Sequence, residues 1–142
     1  MLALSLSQPY ADLVIDGTKT IENRSRSYAF KSNFPQTIVI QRAKSYDAKS
    51  PLWIARACAV VHVEMPSFTP QPGAMLLGTI EIVDAGTPEA VRKRDNAYDN
   101  VWVRDDGWCY ILRNPRRFAH PIPFRGYPSF FEVPDELIAL AE

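Results

Sequence analysis

The sequence predicts an α+β domain built around a small curved sheet or barrel. Two observations point there. Many short segments carry the two-residue period of half-buried strands, and helical patches are few and isolated, without the regular strand-helix alternation of a doubly wound parallel sheet. A third observation sets the scale: 142 residues suit a single domain over residues 1–142 with one hydrophobic core.

The elements follow in order. Residues 1–6 alternate Leu2, Leu4 and Leu6 with small residues, the pattern of a strand. Ser7 and Pro9 then open a short helix carrying Tyr10, Leu13 and Val14 at helical spacing, and Gly17 is placed to end it in a left-handed conformation. Residues 20–24 are extended, with Ile21 facing the core and Thr20, Glu22 and Arg24 sharing the polar face. Residues 37–43 form a strand around Ile38 and Ile40, and Ser50-Pro51 starts a helix through Trp53, Ile54 and Cys58. Pro66, Pro70 and Pro72 mark a loop before a strand over 74–83, in which Gly78 signals a bulge or close approach. Thr87-Pro88 starts another short helix, and the polar run 92–100 is expected to be a mobile loop. A strand over 108–112 is expected to break at Pro115, short extended pieces follow at 122–124 and 129–133, and Pro134 opens a final amphipathic helix.

Composition excludes several classes. With 46% hydrophobic and 23% charged residues the chain is too apolar for a disordered protein, and no apolar run reaches the roughly 18 residues of a membrane span. The opening residues lack the features of a secretory signal, so the expected location is cytoplasmic, with no membrane partner. Cys58 and Cys109, like His62 and His120, are isolated from one another and show no metal-ligand spacing. Neither a metal nor a cofactor is expected. The net charge of zero hides an asymmetry: residues 1–60 carry eight cationic and four acidic side chains, and residues 61–142 carry eight and twelve. A local electropositive face is therefore possible, whereas whole-surface attraction to nucleic acid is not.

The stretch DGTKTIENRSR, residues 16–26, concentrates this charge. Lys19 leaves the glycine turn as Glu22 and Arg24 project from one strand face, so the three converge beside the helix end. A carboxylate between two cations fixes their positions, an arrangement suited to a phosphate or a polar base edge. The same spacing also fits a surface ion pair with a solvated lysine.

The longer run LSLSQPYADLVIDGTKTIENRSR resembles the opening motif of the ASCH family, within the PUA-like group of folds. Gln8, Pro9, Ala11, Leu13, Val14, Gly17, Lys19, Glu22 and Arg24 fall in order on the family's Gln-Pro-Trp-Ala, aliphatic pair, Gly-x-Lys-x-x-Glu-x-Arg pattern, with Tyr10 in place of the common Trp. IVIQRAKSYD, LLGTIEIVDA and the closing WCYILRNPRRFAHPIPFRGYPSFFEVP resemble later parts of the family more loosely, Lys44 matching and Gln41 replacing a histidine. The resemblance implies a small PUA-like β-barrel, a helix between the first two strands with a few peripheral helices, and a cleft holding the Gly-x-Lys-x-x-Glu-x-Arg residues.

It also implies RNA, or a modified nucleoside or nucleotide, as the partner. In a binding protein Lys19, Arg24, Arg42 and Lys44 would meet phosphates, with Gln8 and Glu22 in the cleft and an aromatic ring, Tyr10, Tyr46 or Tyr127, available to stack on a base. The alternative is a hydrolase. Some small members deacetylate N4-acetylcytidine with a lysine and a threonine three residues later; here Lys19 is kept, but Glu22 occupies that position and Thr20 lies nearer, with Glu81 a candidate base. Other members imply metal-independent RNA cleavage by a tyrosine, a lysine and a serine, for which Tyr46, Lys44 or Lys49, and Ser129 have the required types.

Overall fold

The computed structural model describes residues 1–142. In chain order the elements are β1 (Leu2–Gln8), α1 (Tyr10–Ile15), β2 (Ile21–Arg24), β3 (Gln36–Tyr46), α2 (Ser50–Val60), β4 (Met75–Gly86), α3 (Pro88–Arg92), α4 (Ala97–Asn100), β5 (Trp108–Pro123), β6 (Phe130–Glu132) and α5 (Asp135–Ala141). The strands make one six-stranded sheet in the order β2-β5-β4-β3-β1-β6, antiparallel except where β1 runs parallel to β3. The α+β class is as the sequence predicts, with the sheet open rather than closed. Its edges are the four-residue β2 and the three-residue β6, each spent on pairing with a single neighbour.

Strand alternation divides the core. Leu4, Leu6, Ile38 and Ile40 face one side with Ala11, Val14 and Ile15 of α1, whereas Ala3 and Val39 face the other, under Ile138 and Ala141 of α5. Phe130 and Phe131 split the same way, one against each cluster. A third cluster ties α1 to α2 and to β2 and β5 through Leu13, Ile54, Ile21 and Cys109. Gly78 is the predicted close approach: a side chain there would collide with the Arg116 carbonyl and the Arg117 backbone, beside a register shift in the β4–β5 ladder.

Two expectations need correction. Residues 92–100 are not simply a loop, because Asn96 accepts a 3.1 Å bond from the Asp99 amide and caps α4, and Asp99 is buried. Pro115 does not end β5. Asn114 adopts a left-handed φ of 54°, and a register shift against β4 absorbs the Asn114-Pro115 pair, so the strand runs on to Pro123. No helix is long and apolar enough to cross a membrane.

Candidate functional site

The site begins at the end of α1. Gly17 takes φ +81°, and the amides of Thr18 and Lys19 both donate to the Leu13 carbonyl at 3.0 and 3.1 Å, so the chain doubles back beneath its own helix. That reversal buries Lys19, which is 3% exposed. β2 then pairs with β5, Glu22 opposite Tyr110 and Arg24 opposite Trp108.

The three charged side chains converge. Lys19 Nζ lies 3.2 Å from Glu22 Oε2 and also donates to the Ile21 carbonyl, and Arg24 Nη1 lies 3.7 Å from Glu22 Oε1. Lys19 and Glu22 are withdrawn from solvent while a third of the Arg24 side chain remains accessible. Two of the three ammonium protons are thereby used, leaving one donor. Aromatic rings enclose the amine: Tyr10 and Trp53 have their centroids 5.6 and 5.8 Å from Nζ and meet edge to face at 5.7 Å. Arg104 lies over the Trp53 ring at 5.1 Å.

These groups wall a cavity of about 230 Å³ that Ser5, Ser7, Asn23 and Asp47 complete. Tyr10 donates its hydroxyl to Asp47 Oδ2 at 2.6 Å. Burial and this bond raise the Tyr10 pKa well above the ordinary phenol range, and the same bond holds the Asp47 carboxyl below its usual value. Burial lowers the proton affinity of Lys19, and the neighbouring Glu22 carboxylate only partly offsets this. The cavity thus presents a deep amine and carboxylate, aromatic walls and two guanidinium groups at its lip.

Of the residues singled out in the sequence, Tyr10, Lys19, Glu22 and Arg24 come together here. The others do not join them. Gln8 is a buried clamp: its Nε2 donates to the Gln71 carbonyl at 2.9 Å and its Oε1 accepts from the Gln71 amide at 2.7 Å, holding the proline-rich loop against β3. Tyr46 lies beside Gln8 on a different hollow. Thr20 donates to Asp99 at 2.6 Å, in a cluster with Arg113, and Glu81 accepts from Asn114 at 2.8 Å. Arg42 turns to Asp12, 3.7 Å away. Lys44 and Ser129 line a larger neighbouring groove, which meets the cavity at Ser5, Ser7 and Arg24. Asp47, Trp53 and Arg104 had no local signal: Trp53 reads as an apolar helix position, and Arg104 follows the motif by eighty residues.

A profile for the ASCH domain matches residues 4–134. Activating signal cointegrator 1 of Mus musculus is 22% identical over 134 residues, covering 94% of this chain and 22% of the relative, and the Homo sapiens protein is 21% identical with the same coverage. The chain therefore spans about a fifth of the length of these relatives. A crystal structure of ASCH from Zymomonas mobilis superposes with a TM-score of 0.58 at 14% identity, covering 99% of this chain and 95% of that one. A serine-to-alanine mutant of the Zymomonas mobilis protein gives the same TM-score with 96% of its chain covered. At such identity the likeness speaks for the fold.

Proposed function

The chain belongs to the ASCH domain family, and from that premise we propose that it binds RNA by drawing one base into the cavity around Lys19, Glu22 and Arg24. The family is generally RNA-binding. The observation that carries the reading is the buried Lys19–Glu22 pair opening onto a cavity walled by Tyr10 and Trp53.

The charges decide what fits. Glu22 and Asp47 both line the cavity and oppose a phosphate inside it. A neutral heterocycle suits it better: its edge carries donors for Glu22 and acceptors for the remaining Lys19 proton and for Arg24, and its faces suit aromatic walls. The volume of about 230 Å³ falls below the roughly 300–1,000 Å³ of drug-sized sites, which favours a single ring system. Arg24 and Arg104 at the lip are positioned for the attached phosphates.

Calorimetric titration with the four ribonucleoside monophosphates tests this. At least one is expected to bind, and Lys19→Met to abolish binding; no heat with any of them would overturn the reading.

A second reading, hydrolysis in the same cavity, is favoured by one observation. Burial lowers the proton affinity of Lys19, the direction of shift that favours a lysine amine acting as base or nucleophile. Thr20 and Glu81 are engaged elsewhere, so Lys19 would act with Glu22 and bound water. Acetate release from N4-acetylcytidine, lost in Lys19→Met, would establish it; an intact substrate after prolonged incubation leaves binding as the function.

A further inference from the structure

We propose that the groove beside the cavity is a second nucleic-acid subsite, which tracks the backbone on either side of the inserted base and makes the ligand a single-stranded RNA segment rather than a free nucleotide. The inference rests on the base-binding reading of the cavity. The groove, about 1050 Å³ against about 230 Å³ for the cavity, is more than four times larger, and the two share Ser5, Ser7 and Arg24. A chain with one base in the cavity therefore leaves it past Arg24 into the groove.

The lining selects the occupant. Although the chain as a whole is neutral, Arg24, Lys44 and Arg125 supply three cations and no carboxylate lines the groove; only Arg24, at the edge shared with the cavity, has a carboxylate partner, Glu22. That local excess matches a polyanion, and it contrasts with the cavity, where Glu22 and Asp47 offset the cations. Tyr127 adds a stacking platform: it is exposed, and the Arg125 guanidinium lies 5.6 Å from its ring centroid. Phosphates would lie on the cations, and a flanking base would stack on Tyr127. A duplex holds its bases stacked and paired, so a strand able to splay one base into the cavity must be single. An acidic peptide matches the charge but has no ring for the cavity or the platform.

The groove is also built to stay open. Gln41, fully buried, donates from Nε2 to the Phe124 carbonyl at 2.9 Å and accepts from the Ser5 hydroxyl at 2.5 Å, pinning the segment that carries Arg125 and Tyr127 to the sheet. Gly126 lets that segment lie flat, because a side chain there would meet Gln41 Oε1 and Ser5 Oγ at 2.5 Å. Phosphate contact and stacking are thus presented on a fixed wall.

Affinities of the four ribonucleoside monophosphates, a mixed-sequence RNA heptamer and a heptaglutamate peptide, measured with wild type and with Arg125→Ala/Tyr127→Ala, test the inference. Both residues are exposed, and unchanged thermal melting would verify folding of the variant. The heptamer is expected to bind at least about tenfold more tightly than any monophosphate, and the double variant to lose about that factor for the heptamer alone. The slope of log affinity against log salt should also fall by about 0.7 for the one phosphate contact removed. Monophosphate binding without a heptamer advantage would overturn the groove while leaving the cavity reading intact. Binding of neither would overturn both, and heptaglutamate binding as tightly as the heptamer would replace the RNA strand by an acidic peptide.

Discussion

The cavity and the groove share Arg24, Ser5 and Ser7, yet they are built on opposite electrostatic plans. In the cavity the buried charges are answered: Lys19 by Glu22, Glu22 also by Arg24, with burial weakening the hold of Lys19 on its proton. In the groove no carboxylate joins the lining: Lys44 and Arg125 are unpaired and exposed to solvent, and only Arg24, at the shared edge, reaches a carboxylate, Glu22. Compensated, buried charge recognises shape and hydrogen-bond pattern, because its partners are fixed before the ligand arrives; uncompensated, wet charge attracts phosphate at long range and weakens with salt. On the proposed reading, the difference gives selectivity to one region and affinity for length to the other.

The largest effects should come from unbalancing the buried pair. Lys19→Met leaves the buried Glu22 carboxylate with only the partly exposed Arg24 guanidinium, 3.7 Å away, and breaking such a buried pair costs about 3–5 kcal/mol, to be read by urea denaturation. Lys19→Met with Glu22→Leu removes both charges and should recover most of that stability without recovering base binding. Recovery of both would show the pair to be only structural.

Next comes Gly126→Val, whose new atoms collide with Gln41 and Ser5. Overpacking of this kind costs about 1–3 kcal/mol. It should displace the groove wall, so heptamer binding falls while monophosphate binding holds.

A smaller effect follows from Lys19 itself. Its folded-state pKa lies below the ordinary 10.5. The unfolded chain therefore binds this proton more tightly than the folded one, and stability rises with pH through the window between the lowered value and 10.5. Lys19→Met should lack that rise, and the Nζ resonance of wild type should titrate below the other lysines. The smallest effect is at Asp47, where Tyr10→Phe removes the bond that lowers its pKa. Its carboxyl carbon should then titrate nearer 3.8, and the small acid-side contribution, present above that value and lost as pH falls through the folded one, should disappear.

Much of the cavity was legible because one stretch of chain makes its floor. Gly17, Lys19, Glu22 and Arg24 are set by a helix stop and a strand period, both local rules. Its walls were not, since Trp53 comes from α2, Asp47 from the turn before it, and Arg104 from the segment leading into β5. Only packing of Leu13, Ile54 and Trp102 brings those segments together. Thr20 shows the limit of face arguments: it shares a side with Glu22 by periodicity, but it precedes β2 and turns to Asp99. Pro115 shows the limit of breaker rules, for a left-handed Asn114 and a bulge carried the strand past it.

The account is tested most directly at Trp53, which lines the cavity, whereas Trp102 is fully buried behind it. Indole N–H resonances followed during titration with ribonucleoside monophosphates should show Trp53 shifting saturably and Trp102 and Trp108 shifting far less. Saturable binding that leaves the Trp53 signal in place would contradict it.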